Sequence, residues 1–189
     1  MTRRALTYAL TRQIMLWVAA AALLVASCGH ENADCFPLGL GHTWNYVVPY
    51  EGSFSIRVID VAGAKYTVKG ESDESLQDVW PFSEADGDTG VYYTESGDTV
   101  RYGAGNSIVI IQPPVAGATW TDDYFDSVRV LGKEEVTVPA GAFENCAKVA
   151  YYYGGELDWY IWFAPGVGIV KGYEVIYDVE YNLVSADLP

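Results

Sequence analysis

Three cysteines, Cys28, Cys35 and Cys146, have the widest choice of chemistry in this chain. A thiol can be acylated, joined in a disulfide, or bind a metal as thiolate. Metal binding is poorly served. The two histidines, His30 and His42, stand in no Cys/His spacing of a zinc or iron site, so no metal and no cofactor is expected. Catalysis is equally thin. There is no Gly-x-Ser-x-Gly elbow, and a Ser-His-Asp triad would have to use His42, which nothing places. Asp122-Asp123 could act as paired carboxylates on a glycoside, but among 25 acids adjacency says little. Asp86-Gly87-Asp88 with Glu95 falls short of a calcium-binding Asp-x-Asp-x-Asp-Gly loop and reads as a hairpin tip. No glycine loop suited to phosphate occurs. The chain is read as a non-enzyme.

The surroundings of each cysteine decide its chemistry. Arg3, Arg4 and Arg12 precede an apolar stretch, 14–26, which ends in Leu24-Val25-Ala26-Ser27-Cys28. A basic start, a short apolar core and small residues at a cut site describe a secretory signal. With Cys directly after them, the run resembles the bacterial lipobox, in which the Cys takes a diacylglyceryl group and then palmitate-like acyl chains. The apolar core is shorter than the roughly 20 residues needed to cross a bilayer. The expected organisation is a signal peptide, helical, over 1–27, a lipidated tether over 28–35 and a folded domain over 36–189. Acyl chains contribute about 0.8 kcal/mol per buried CH₂, and two of them anchor stably. Cys28 is therefore expected to hold the protein on an extracytoplasmic membrane face. Gly29 stands where an Asp would mark retention at the inner membrane, which points to the outer one.

An oxidising compartment then bears on the other two thiols. Cys35 and Cys146 are the leftover pair, and a disulfide between them would close a loop of about 110 residues, which the chain-entropy model values at roughly 4–5 kcal/mol. Two buried thiols are the other reading. Removing 1–27 leaves all 25 acids but only 8 of the 11 Lys and Arg, so the net charge goes from −14 to −17. Such a balance argues against nucleic acid and against docking on anionic lipid heads. It keeps an aromatic-rich, tethered domain soluble.

After Phe36 no 3.6-residue apolar period is visible. Short β-branched and aromatic runs alternate with Gly, Pro, Asn and Asp clusters. The pattern predicts strands at 43–48, 54–61, 65–69, 90–94, 99–102, 107–111, 127–138, 147–153, 157–163, 168–176 and 179–184, with one helical turn at 72–76. The fold class expected is all-β: a single antiparallel β domain, as a curved sheet, half-barrel or sandwich. One echo is visible. Pro37 to Thr43-Trp44 and Pro114 to Thr119-Trp120 each run from a proline through apolar residues to Gly-x-Thr-Trp; a duplicated half-domain is one reading, and chance or convergent turn chemistry over so few positions is the other.

Two turns are written plainly. In Val138-Pro139-Ala140-Gly141 and Ala164-Pro165-Gly166-Val167, Pro presets φ and Gly supplies a left-handed position. Gly168 would let the backbone pass close to a neighbour. Three motifs occur in order: Phe36-Pro37-Leu38 with Gly41 and Trp44-Asn45-Tyr46, then Val138-Pro139-Ala140-Gly141-Ala142-Phe143, then Ala164-Pro165-Gly166-Val167-Gly168 with Lys171. Together they resemble a group of bacterial lipoproteins and secreted domains to which no activity is assigned. The resemblance spans about residues 36–185 and implies a β-rich extracytoplasmic domain, with no catalytic residues to carry over.

Tyr151-Tyr152-Tyr153 and Trp159-Tyr160-Ile161-Trp162-Phe163 fall on adjacent expected strands. Alternation puts Trp159, Ile161 and Phe163 on one face and Tyr160 and Trp162 on the other. Both faces being aromatic, the strands are covered on both sides, or one face meets a ligand. The function expected is a membrane-anchored, non-catalytic binding or structural module of the cell envelope, whose partner is an envelope protein, a glycan or a lipid. A carrier would instead need a concave apolar pocket lined by residues such as Trp44, Tyr46, Trp159, Ile161 and Phe163. An envelope hydrolase is the third reading.

Overall fold

The structure is a computed structural model that describes residues 34–72, 81, 91–103 and 107–189. These fold into twelve strands: β1 (Thr43–Val48), β2 (Gly52–Ala62), β3 (Lys65–Ser72), β4 (Val91–Ser96), β5 (Thr99–Tyr102), β6 (Ser107–Ile111), β7 (Thr119–Trp120), β8 (Ser127–Val138), β9 (Gly141–Tyr153), β10 (Glu156–Ala164), β11 (Gly168–Glu174) and β12 (Val179–Asp187). No helix occurs among the described residues, and the fold is all-β as expected. The signal segment, the tether up to residue 33, and most of the proposed turn at 72–76 lie outside the described residues.

All twelve strands form one antiparallel sheet in the order β6-β5-β4-β3-β2-β1-β12-β11-β10-β9-β8-β7. The chain thus makes two six-strand meanders, β1–β6 and β7–β12, joined where β1 pairs with β12. Each meander opens with one of the two Thr-Trp echoes: Trp44 on β1 and Trp120 on β7, both buried. The likeness ends at the second joint. Between β6 and β7 there is no ladder, so the sheet curls without closing into a barrel. The two ends meet instead through single bonds. Tyr151 OH on β9 donates to the Val109 carbonyl, and Ile108 N on β6 donates to Asp122 Oδ2 at 2.7 Å. Trp44 Nε1 donates to the Val167 carbonyl at 2.7 Å, whereas Trp120 Nε1 has no acceptor among the described residues.

Alternation explains the interior. On β1, Trp44, Tyr46 and Val48 point inward, with Thr43, Asn45 and Val47 between them facing out. On β8, Val128 and Val130 point in and Arg129 and Leu131 out. The inward residues fill the curl with large rings: Trp44, Tyr46, Tyr93, Tyr151, Tyr181, Phe36, Phe125 and Phe163 are each under 2% exposed. Buried hydroxyls need acceptors. Tyr46 OH donates to Ile169 O at 2.9 Å and Tyr93 OH to Pro81 O at 2.6 Å.

The expected turns occur where the motifs put them. Gly166 has φ 72° and Val167 N donates back to Ala164 O at 3.1 Å. Gly168 does pass close to a neighbour: a Cβ there would lie 3.3 Å from Trp44 Nε1. One strand starts earlier than its pattern suggests. β9 begins at Gly141, not at residue 147, because Asn145 at φ 58° and a register shift between Glu134 and Val136 absorb the polar Glu144-Asn145 as an irregularity.

Asp122 is the main fastener of the open seam. Besides Ile108 N, it accepts from Tyr124 N at 2.8 Å and Phe125 N at 2.7 Å. It thus braces the turn through three backbone donors. Asp122→Ala leaves three backbone donors without their carboxylate, and an expected loss of about 2–4 kcal/mol follows. Urea unfolding measures it, with Asp123→Ala as the exposed control that changes little.

Candidate functional site

The antiparallel order gives the molecule two ends. At the near end the chain enters: Gly166 N donates to Asp34 O at 2.7 Å, and Cys35 N and Phe36 N both donate to Gln112 Oε1. The connections there are at 63–64, 97–98, 112–118, 139–140 and 165–167, and none contains a tyrosine. At the far end lie the connections at 49–51, 121–126, 154–155 and 175–178. Each carries or abuts an exposed tyrosine: Tyr50, Tyr124, Tyr153 and Tyr177.

These tyrosines are presented by built geometry. Tyr50 is wholly exposed at φ 69°, a left-handed position in which a bulky side chain is uncommon and costs about 1 kcal/mol or more. Tyr124 is set by Asp122, stands edge-on to buried Phe125 at 4.8 Å, and Phe125 in turn packs on Tyr151 at 5.1 Å. Tyr153 lies beside Tyr124, ring centroids 5.3 Å apart and planes tilted by 31°. Both rings are about half exposed, at 52% and 55%. Gly155 N donates to Asp126 Oδ2 at 2.9 Å and ties the β9–β10 turn to the same loop. Burial, then the charges of Asp158, Tyr153 and Glu174, raise the Tyr124 phenol. Burial also raises the Asp158 carboxyl. The pair thus sits over withdrawn carboxylates, Asp158 half-buried and Glu174 buried.

The outward face of β8–β12 is satisfied by its own residues. Trp162 lies between Lys148 Nζ at 4.7 Å and Lys171 Nζ at 5.5 Å, and its Nε1 donates to Glu134 Oε1 at 2.6 Å. Lys148 also covers Tyr160 at 4.6 Å, and Lys171 pairs with Glu180 at 2.5 Å. Tyr160 and Trp162 share the outer face as alternation requires, and the lysine stems leave Trp162 7% exposed. An open depression of about 480 Å³ lies over β12, β1, β2 and β3, lined by Asn45, Ser53, Ser55, Glu71 and Val184 and by the buried rings of Tyr46 and Phe54.

The proposed ligand-contact set lies elsewhere. Trp44, Tyr46, Trp159, Ile161 and Phe163 are all in the filled core, at most 4% exposed. They share one interior as alternation predicts, packed among Phe36, Tyr93 and Tyr181, and Tyr46 also borders the depression over β12, β1, β2 and β3. Cys35 and Cys146 are both buried and stand as thiols, not as the expected bridge. Burial lifts the Cys146 thiol to about 12, with charge on Cys35 adding to it, and burial lifts Cys35 to about 11. Cys146 Sγ donates to Phe143 O at 3.3 Å. His42 holds Pro37 O with Nδ1 at 3.1 Å and packs on Gly39. Glu95 accepts from Tyr66 OH at 2.7 Å, while Asp86, Asp88, His30 and Cys28 lie outside the described residues. Among the described residues no three His, Cys, Asp or Glu converge as a metal site.

Fold and surface together define a single-sheet antiparallel β protein with a filled aromatic interior and a tyrosine-bearing end opposite its point of chain entry. No protein-family model matches the chain, and no curated protein matches it. Among solved structures it is similar to one from Parabacteroides distasonis, named only provisionally as a lipoprotein. The identity is 15% over 82% of this chain and 99% of that one, with a TM-score of 0.40.

Proposed function

We propose that this chain is a lipid-anchored, non-catalytic binding module of a bacterial cell envelope. The observation that carries the reading is the division of its ends: the tether enters at one, and the exposed tyrosines gather at the other. Tyrosine offers large, rigid, amphipathic contact area at low entropic cost, and is favoured at recognition surfaces for that reason. The filled interior favours recognition at the surface over carriage inside. Cys28 precedes Asp34 by six residues, which span at most about 20 Å. Acyl chains on Cys28 would attach the protein through the chain that enters at the near end. Gly29 after the lipidated Cys supports the outer membrane over the inner.

Cys28→Ala tests the anchor. In a bacterial host the variant is expected to lose acyl labelling and to leave the membrane fraction entirely, while keeping the melting temperature of the parent's folded domain. Membrane attachment that survives the substitution would defeat the reading.

A further inference from the structure

We infer that the Tyr124–Tyr153 pair is a carbohydrate-binding platform that takes neutral or N-acetylated sugar rings. The inference rests on the binding-module reading and names its ligand class. Two half-exposed phenol rings, 5.3 Å apart and tilted by 31°, partly overlap each other and leave outer aromatic surface for the C–H side of a pyranose. They are fixed before any ligand arrives, by Asp122 under Tyr124, by Phe125 against the core, and by Asp126 holding Gly155. Preorganisation of this kind favours a small, weakly held ligand, because little ordering remains to oppose binding.

Charge narrows the class. The far end carries Glu51, Asp123, Asp126, Glu156, Asp158 and Asp178 in its turns or beside them, and no lysine or arginine stands in its described connections. An anionic sugar would be repelled there. A basic protein surface is the competing occupant, since Asp123 and Asp126 in the Tyr124 turn are exposed. The acids whose charge reaches the Tyr124 hydroxyl, Asp158 and Glu174, are instead half-buried and 6% exposed and are poorly placed for the lysines of a flat partner. Half-buried Asp158 suits a hydroxyl donor of a ring lying directly on the tyrosines.

The test uses the full-length protein in detergent, titrated calorimetrically with soluble cello-, xylo-, malto- and N-acetylglucosamine oligosaccharides, with oligogalacturonate and with a polylysine peptide. At least one neutral series is expected to bind, and oligogalacturonate is not. Tyr124→Ala and Tyr153→Ala should each weaken that binding more than tenfold, while Tyr153→Phe keeps it within about threefold, since stacking needs the ring and not the hydroxyl. Both tyrosines are half exposed, so unchanged melting temperatures separate lost contact from lost fold. Neutral binding that ignores both substitutions, or no neutral binding at millimolar sugar, overturns the inference. Polylysine binding that depends on the same tyrosines also overturns it, yet leaves the far end as a recognition surface. Indifference to every probe together with a Cys28→Ala protein still on the membrane removes the underlying reading as well.

Discussion

Gly172→Ala is expected to lower the stability of the domain by about 3 kcal/mol, near the upper end of what overpacking usually costs. Gly172 on β11 pairs with Tyr181 on β12, and the Tyr181 ring lies flat across the space where a Cβ would be. That ring has no room to retreat. It is fully buried and meets Tyr46 at 5.4 Å, Phe54 at 5.8 Å and Trp159 at 6.3 Å. Nothing else about the position is demanding, since Gly172 is not among the positive-φ glycines. For a domain of this size 3 kcal/mol corresponds to a melting temperature lower by roughly 6–12 °C. A scanning-calorimetry trace that superimposes on the parent's would show that the ring is free to move.

The second large effect is redox-linked. Under the proposed export, Cys35 and Cys146, thiols in the structure, are expected to be oxidised to a disulfide, and protein made without export is expected to carry two thiols. The two forms should differ by about 4–5 kcal/mol, since the bridge would close a loop of about 110 residues in the unfolded chain. Burial sets the route. With the thiols raised to about 11 and about 12, almost no thiolate exists at neutral pH in the folded state. Exchange with a disulfide oxidant, which accepts the two electrons while two protons leave, must precede burial or be slow after it. Thiol titration of unfolded, unreduced exported protein reads the outcome directly, and two titratable thiols would refute the bridge.

How much of this was legible in the chain can be argued from particular strands. Where one face is buried the period of two is strong: β8 matches its pattern at both ends, and Trp159, Ile161 and Phe163 separate from Tyr160 and Trp162 as alternation demands. The turn at Pro165-Gly166 is fixed by local chemistry and needed no tertiary context. Which face of an aromatic strand becomes the interior is a different matter. It depends on the direction in which the whole sheet curls, so the aromatics expected at a ligand proved to be core. The far-end tyrosines escaped for the opposite reason. Tyr50 and Tyr177 are the lone aromatics of their turns and Tyr124 adjoins Phe125, and only the strand order brings their connections to one end. β7, two residues long, has no pattern of its own.

The unladdered joint between β6 and β7 has a consequence for how copies of this protein behave in company. β6 is Ser-Ile-Val-Ile-Ile, uncharged and strongly β-prone, with one backbone edge given to β5 and the other unclaimed by a strand. Segments of that composition pair readily with copies of themselves when an edge is bared. Here the edge is shielded by Asp122 and by the Tyr151 hydroxyl, each of which belongs to the other meander. The joint is therefore the natural place for exchange of meanders between two molecules: β6 of one chain could meet the 121–126 turn and β9 of another as it now meets its own. The formal net charge of −14 opposes such exchange. The acidity that keeps the domain soluble is then also a guard on its weakest joint, and high salt, which screens that charge, should bring out swapped dimers first.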